Sequence, residues 1–190
     1  MQPTTGVSVT VTFLRLDLQA VPEMTVGPAP ALPGGASLVR LHACTVPFYR
    51  FLYATVGGPY CWWLRRSLSD AVLDAILRDP AVSVWVLYRD GEPSGFFELD
   101  RRNRPVVNLS YFGLMPHATG QGMGAAFLHA AIEAARGEGA RTVTVNTCTA
   151  DHRRALPGYL RAGFKPTRTV REIWEVPNRL GLTIPEHLRV

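Results

Sequence analysis

The stretch HATGQGMGAAFLHAAIEAARGEGA, residues 117–140, decides how this chain is read. Three glycines, Gly120, Gly122 and Gly124, fall within five residues, and an alanine-rich run with no helix breaker follows. That run predicts a helix from about Gly122 to Arg136. A helix amino terminus carries unpaired backbone N–H groups and a partial positive charge. Glycines placed there let a bulky anion approach those amides. The same glycines also suit a tight turn with close packing of helix on sheet, so the motif alone leaves both readings open.

Outward from the glycines, the preceding segment VVNLSYFGLMP is nearly apolar throughout, as suits a central strand. Two further β-rich segments precede it, AVSVWVLYRD and SGFFELD, joined through the turn DGEP. After the helix, RTVTVNTCT alternates, DHRRALPGYLRAG reads as a short helix with Asp151 available as its cap, and FKPTRTVREIWEVP reads as a last strand. Nearer the amino end, GVSVTVTFLRLD alternates with Val7, Val9, Val11 and Phe13 on one face. Residues 20–37 are rich in Pro and Gly and predict a loop. A helix is expected around Phe48, Phe51, Leu52 and Val56, stopped by Gly57 and Gly58. Another opens on Ser69 as its cap and ends at Pro80. The order predicts an α/β (α+β) domain over residues 1–190, with a mixed, mostly antiparallel sheet flanked by helices and a tail over 178–190.

The chain has 190 residues, 47% of them hydrophobic, so it can bury a core and is not disordered along its length. Its formal charge of +5 comes almost wholly from arginine, Lys165 being the only lysine. A basic balance admits nucleic acid or a phosphate-bearing ligand. The run RRNR, Arg101 to Arg104, fits a hairpin turn, and no nucleic-acid signature accompanies it, so no nucleic-acid partner is expected. Cys44, Cys61 and Cys148 are widely spaced and odd in number, which indicates neither a disulfide framework nor a metal site. No basic head with an apolar run opens the chain and no stretch is long enough to span a membrane, so a cytoplasmic protein without a membrane partner is expected.

Two generic phosphate motifs fail. Met123-Gly124-Ala125 stands where a Walker loop needs GK[ST], and the glycine turn comes too late in the chain for a dinucleotide fold. The late glycine turn, long helix, strand, short helix and Gly-Phe together resemble the GNAT N-acetyltransferase family, over roughly Val82 to Glu175. That family's loop has Arg or Gln, two residues, Gly, one residue, then Gly or Ala. Here Gly122 and Gly124 match and Thr119 stands in the leading place. Its second signature is matched by Ala155, Tyr159, Gly163 and Phe164, with His152 in place of the usual Asn.

The resemblance implies a V-shaped splay in the sheet that takes acetyl-CoA as co-substrate, with no metal. It implies that backbone groups of Gly113, Leu114 and Met115 bind the pantetheine arm. The amides of Thr119, Gly120, Gln121, Gly122, Met123 and Gly124 would hold the pyrophosphate, with His152 and Arg154 near the cofactor, Arg153 and Arg154 facing its 3′-phosphate, and Tyr159 the general acid for the leaving thiolate. The chemistry is coherent on its own terms: a phenol of pKa ~10 can protonate a thiolate. Many members place a basic Glu on the central strand, where Asn108 stands here; Glu98 on the preceding strand is the nearest alternative base, or else a solvated acid. The aromatic run FYRFLYATVGGPYCWW places Tyr49, Tyr53 and Trp62 for an acceptor pocket or for core packing, with Asn108 and Tyr111 as further acceptor-side candidates. The implied activity is transfer of an acetyl group to a primary amine of a small molecule. Acetylation of a protein lysine or amino terminus, or a non-catalytic acyl-CoA sensor, are the alternatives. Because many relatives pair through sheets or C-terminal segments, the resemblance leaves a homodimer open, with IPEHLRV as a pairing segment.

Overall fold

The computed structural model describes residues 3–19 and 31–190. Among these residues seven strands form one sheet: β1 (Thr4–Asp17), β2 (Ala36–Leu41), β3 (Val82–Arg89), β4 (Glu92–Asp100), β5 (Val106–Leu114), β6 (Thr142–Cys148) and β7 (Lys165–Pro177). Their spatial order is β2-β3-β4-β5-β6-β1-β7. Every neighbouring pair is antiparallel except β5 and β6. The helices are α1 (Val46–Gly57), α2 (Leu64–Ser67), α3 (Asp70–Arg78), α4 (Gly124–Gly137) and α5 (Ala155–Arg161). This is the mixed, mostly antiparallel α/β arrangement that the element order predicts.

Local chemistry explains most boundaries. Ser69 accepts from the Val72 amide at 3.4 Å, capping α3 as its sequence suggests. The hairpin between β3 and β4 turns on Asp90 and Gly91, both at positive φ. One expectation needs correction. The loop predicted over 20–37 ends early, because Ala36 and Ser37 already pair with Arg89 and Tyr88 in β2; residues 20–30 lie outside the described ones. The expected tail, 178–190, is docked on β1, with Ile184 and Leu188 buried and the Val190 amide bonded to the Gly6 carbonyl at 3.1 Å.

Strand β1 does not bury a single face. Val7, Val9 and Val11 are buried on one side, where Ile184 and Leu188 cover them. Leu14, Leu16 and Leu18 are buried on the other, against α4 and α5. Phe13 packs with the valines as expected, half-buried under the Arg168 guanidinium. A strand of 14 residues outreaches any one covering element, so its buried face changes where its cover changes. The remaining core lies between the sheet and α1 and α3, around Tyr49, Leu52, Leu73 and Phe96.

Candidate functional site

The parallel pairing of β5 and β6 lasts three rungs, from Val106 opposite Thr142 to Asn108 opposite Thr144. Beyond it, β5 runs on to Leu114 and β6 to Cys148 without pairing to each other. The register of β5 against β4 shifts here: Glu98 faces Tyr111 while Leu99 faces Leu109, leaving Ser110 as an extra residue. Such a bulge bends and twists its strand, which turns β5 away from β6. The wedge between them opens into a cavity of about 1430 Å³. Tyr159 and the amino end of α4 line it from one face of the sheet, and Tyr53, Tyr60 and Trp62 line it from the other.

Gly120 and Gly122 line this cavity at φ +84° and +79°, a conformation that costs other residues strain. Gly124 is different. It opens α4, its φ is not positive, and a Cβ built on it would meet nothing within 4 Å. Neither backbone conformation nor packing within the protein requires glycine there, yet Gly124 lines the cavity. Missing side chains and first-turn amides fit an anion held against the backbone.

The other residues of the loop divide. The Thr119 amide is engaged by the carbonyls of Met115 and Pro116, and its hydroxyl donates to the Met115 carbonyl at 3.1 Å, so its polar groups brace the turn. Gln121 is also a brace: its Nε2 donates to the His117 carbonyl at 2.6 Å and its Oε1 accepts from Arg89 at 2.5 Å. Met123 is buried in the core and Met115 likewise, its amide bonded to the Ser94 carbonyl. Gly113 and Leu114 line the cavity. A Cβ on Gly113 would lie 2.4 Å from Val56, so this glycine answers to packing. His152, Arg153 and Arg154 line it as well; His152 Nδ1 accepts from the Arg154 amide at 3.2 Å, which starts the turn into α5.

Tyr159 stands in the cavity wall, packed on Phe112 and Phe164. Burial, with the Asp151 carboxylate as the second cause, holds its phenol well above the ordinary range, so it stays protonated. Among the described residues its hydroxyl has no hydrogen-bond partner.

Glu98 lies elsewhere. Strand alternation sends it to the face opposite Phe97, as its sequence predicts, but it is fully buried and absent from the cavity wall. Its two oxygens accept from Tyr49 Oη and Arg65 Nη2, each at 2.5 Å. Burial alone would lower the Arg65 guanidinium; the Glu98 carboxylate overrides this and raises it. The group is a tie between β4 and α2, not a solvated acid. Tyr49 belongs to this tie and does not reach the cavity. Asn108 does not reach it either: its Oδ1 accepts from Thr144 Oγ1 at 3.0 Å, at the point of the wedge. Tyr53, Trp62 and Tyr111 do line it and pack on one another with ring centroids 4.9–5.3 Å apart.

Asp151 is the functional candidate that sequence reading missed. It does not cap α5, which starts at Ala155. Its Oδ2 turns back to accept from Thr147 Oγ1 at 2.7 Å and the Cys148 amide at 2.9 Å, and its Oδ1 accepts from Trp62 Nε1 at 3.3 Å. Its charge adds to burial in pushing the Cys148 thiol up to about 12, so that thiol is no nucleophile at neutral pH. An acid directly after a strand, beside a histidine and two arginines, gives no periodic signal that separates it from a loop acid. Among the described residues no cluster of His, Cys, Asp and Glu suits a metal ion, and no helix is long and apolar enough to cross a membrane.

The model of the acetyltransferase (GNAT) family matches residues 47–164. No curated protein matches the chain. Solved structures share its fold: a GCN5-related N-acetyltransferase from Kribbella flavida, at 17% identity and TM-score 0.60, covers 90% of this chain and 60% of its own. One from Sphaerobacter thermophilus, at 15% and 0.61, covers 92% and 54%. An aminoglycoside acetyltransferase from an uncultured soil metagenomic sample, solved with trehalose, gives 16% and 0.53 over 67% and 86%. The chain thus spans under two thirds of the length of the first two.

Proposed function

Since this chain belongs to the acetyltransferase (GNAT) family, we propose that it moves an acetyl group from acetyl-CoA to a primary amine of a small molecule, by direct attack in a ternary complex. One observation carries the reading. The β5–β6 wedge joins a glycine-lined anion cradle on one face of the sheet to an aromatic chamber on the other. A thioester laid through the wedge meets an acceptor from the far side.

The chain's own groups have distinct tasks. Gly120, Gly122 and Gly124 give a pyrophosphate access to the amino end of α4. Arg153 and Arg154, on the same cavity, suit a further phosphate. Backbone groups of Gly113 and Leu114 suit the pantetheine arm and the charge that builds on the thioester oxygen. Tyr159, kept protonated, donates to the departing sulfur. The thioester supplies the activated acyl carbon, and no metal enters the scheme.

The acceptor chamber favours a small molecule over a protein segment, because Tyr53, Trp62 and Tyr111 close on one another rather than leaving an open groove. The aminoglycoside acetyltransferase among the structural neighbours is consistent with a small-molecule acceptor. Calorimetric titration with acetyl-CoA, followed by thiol-release screening against an amine library, tests the proposal. Failure to bind acetyl-CoA would defeat it; binding without release of thiol by any amine would leave the sensor alternative.

A further inference from the structure

We infer that Asp151 is the carboxylate that receives the acceptor amine, and that this amine is a cation on a compact apolar or aromatic body. The inference rests on the acetyl-transfer reading for its chemistry, though not for its binding test.

Among the described residues three carboxylates line the cavity: Glu133, Asp151 and Glu172. Glu133 belongs to α4, on the face of the glycine cradle, and Arg136 engages it at 3.3 Å. Glu172 sits on β7, separated from β6 by β1. At about 4.8 Å between strands, it lies on the order of 10 Å from the β6 backbone, out of reach of an atom in the wedge. Asp151 follows β6 within three residues and stands at the mouth of the wedge.

The two oxygens of Asp151 are held differently. Oδ2 takes two short bonds, from Thr147 and the Cys148 amide, which fix the carboxylate's orientation. Among the described residues Oδ1 holds only the Trp62 indole, at 3.3 Å, the longest of the three contacts. Trp62 packs against Tyr53 and Tyr111, and Tyr111 belongs to β5. The indole–carboxylate contact therefore bridges the mouth of the wedge, from the β5 wall to the end of β6. An ammonium is a stronger partner for a carboxylate than an indole N–H at that distance. It would exchange with Trp62 at Oδ1 while aromatic faces receive its cation and apolar body. Burial first, and the charge of Asp151 second, raise Tyr159, Tyr60 and Cys61, which all line the same cavity.

The step balances as follows in protons and bonds. The bound ammonium first gives one proton to Asp151 Oδ1, which passes it to water. The neutral amine then attacks, and as the C–N bond forms its second N–H proton leaves by the same carboxylate to water. The C–S bond breaks, the sulfur takes the Tyr159 proton, and Tyr159 is reprotonated from water. Amide and free thiol are the products.

The test follows the indole N–H resonance of Trp62 in the full chain, labelled with nitrogen-15 and assigned by its loss in Trp62→Phe. Benzylamine and phenethylamine at pH 7 are the probes, and benzyl alcohol is the neutral control. A saturable shift with the amines, absent with benzyl alcohol and weakened at least tenfold in Asp151→Asn, supports the inference. Acetyl-CoA affinity of Asp151→Asn within threefold of the parent shows that the turn survives the change. No shift with either amine, an equal shift with benzyl alcohol, or parental amine binding by Asp151→Asn overturns it. Loss of acetyl-CoA and amine binding together in that variant also overturns it, by making Asp151 a support of the β6–α5 turn. If the unaltered chain fails to bind acetyl-CoA, the proposed function falls while the amine site is still judged by the resonance.

Discussion

Thr144 donates its hydroxyl to Asn108 Oδ1 at 3.0 Å, across the last rung that β5 and β6 share. This bond marks where the sheet stops being continuous and the cavity begins. Asn108 also donates to Ser110 Oγ at 3.1 Å, holding the bulged residue that swings β5 aside. Asn108→Ala is expected to cost about 1 kcal/mol of stability, the scale of a lost hydrogen bond. It should also raise the KM for acetyl-CoA several-fold by loosening the wedge. Denaturant melts and steady-state kinetics check both; an unchanged KM would show that the bulge alone sets the opening.

Gly124→Ala and Gly124→Leu separate ligand room from fold. Alanine is the better helix former by up to about 1 kcal/mol, so the alanine variant should melt at or above the parent's temperature. Alanine is within the family's pattern at this place, so acetyl-CoA affinity should stay near the parent's, whereas the bulkier Gly124→Leu would crowd the anion cradle and lower affinity roughly tenfold, about 1.4 kcal/mol. Calorimetry with acetyl-CoA decides: unchanged affinity in Gly124→Leu would remove the cradle from the cofactor site.

Glu98→Gln should unsettle the molecule rather than its chemistry. Breaking a buried ion pair costs about 3–5 kcal/mol, because Arg65 is left poorly compensated. Activity measured well below the variant's melting point should keep most of its kcat. A hundredfold loss of kcat in a protein still folded would return Glu98 to the role of base.

Tyr159→Phe removes a hydroxyl that makes no internal hydrogen bond among the described residues, so stability should change little. If Tyr159 protonates the leaving sulfur, kcat should drop by about 10²–10⁴. Full activity across the accessible pH range would dismiss the assignment.

Alkaline pH should destabilise the fold. Burial first, and nearby charge second, raise the phenols of Tyr49, Tyr53 and Tyr159 above their ordinary value. Unfolded tyrosines ionise near pH 10, so above that the unfolded chain binds fewer protons than the native one and stability falls as pH rises. Below pH ~10 this contribution is fully present. Melting temperatures from pH 8 to 11 should decline on the alkaline side, with a shallower decline for Tyr159→Phe.

Sequence alone was enough for the late glycine turn and the α4 and α5 patterns, because each is a local arrangement set by period and backbone freedom. Together with the family resemblance that their order carries, these gave the fold. Strand β2 was hidden, as it is only six residues long and follows directly on a Pro/Gly-rich stretch. The partition of the carboxylates belonged wholly to tertiary structure. Glu98 and Asp151 look alike as single acids in the chain, but one is sealed against Arg65 and Tyr49 and the other stands at the mouth of the wedge. The wedge itself rests on a register shift at Ser110 between strands paired at long range. Pairing register depends on what lies opposite, which no local pattern encodes, so the sequence determined the elements and the tertiary structure decided where they part.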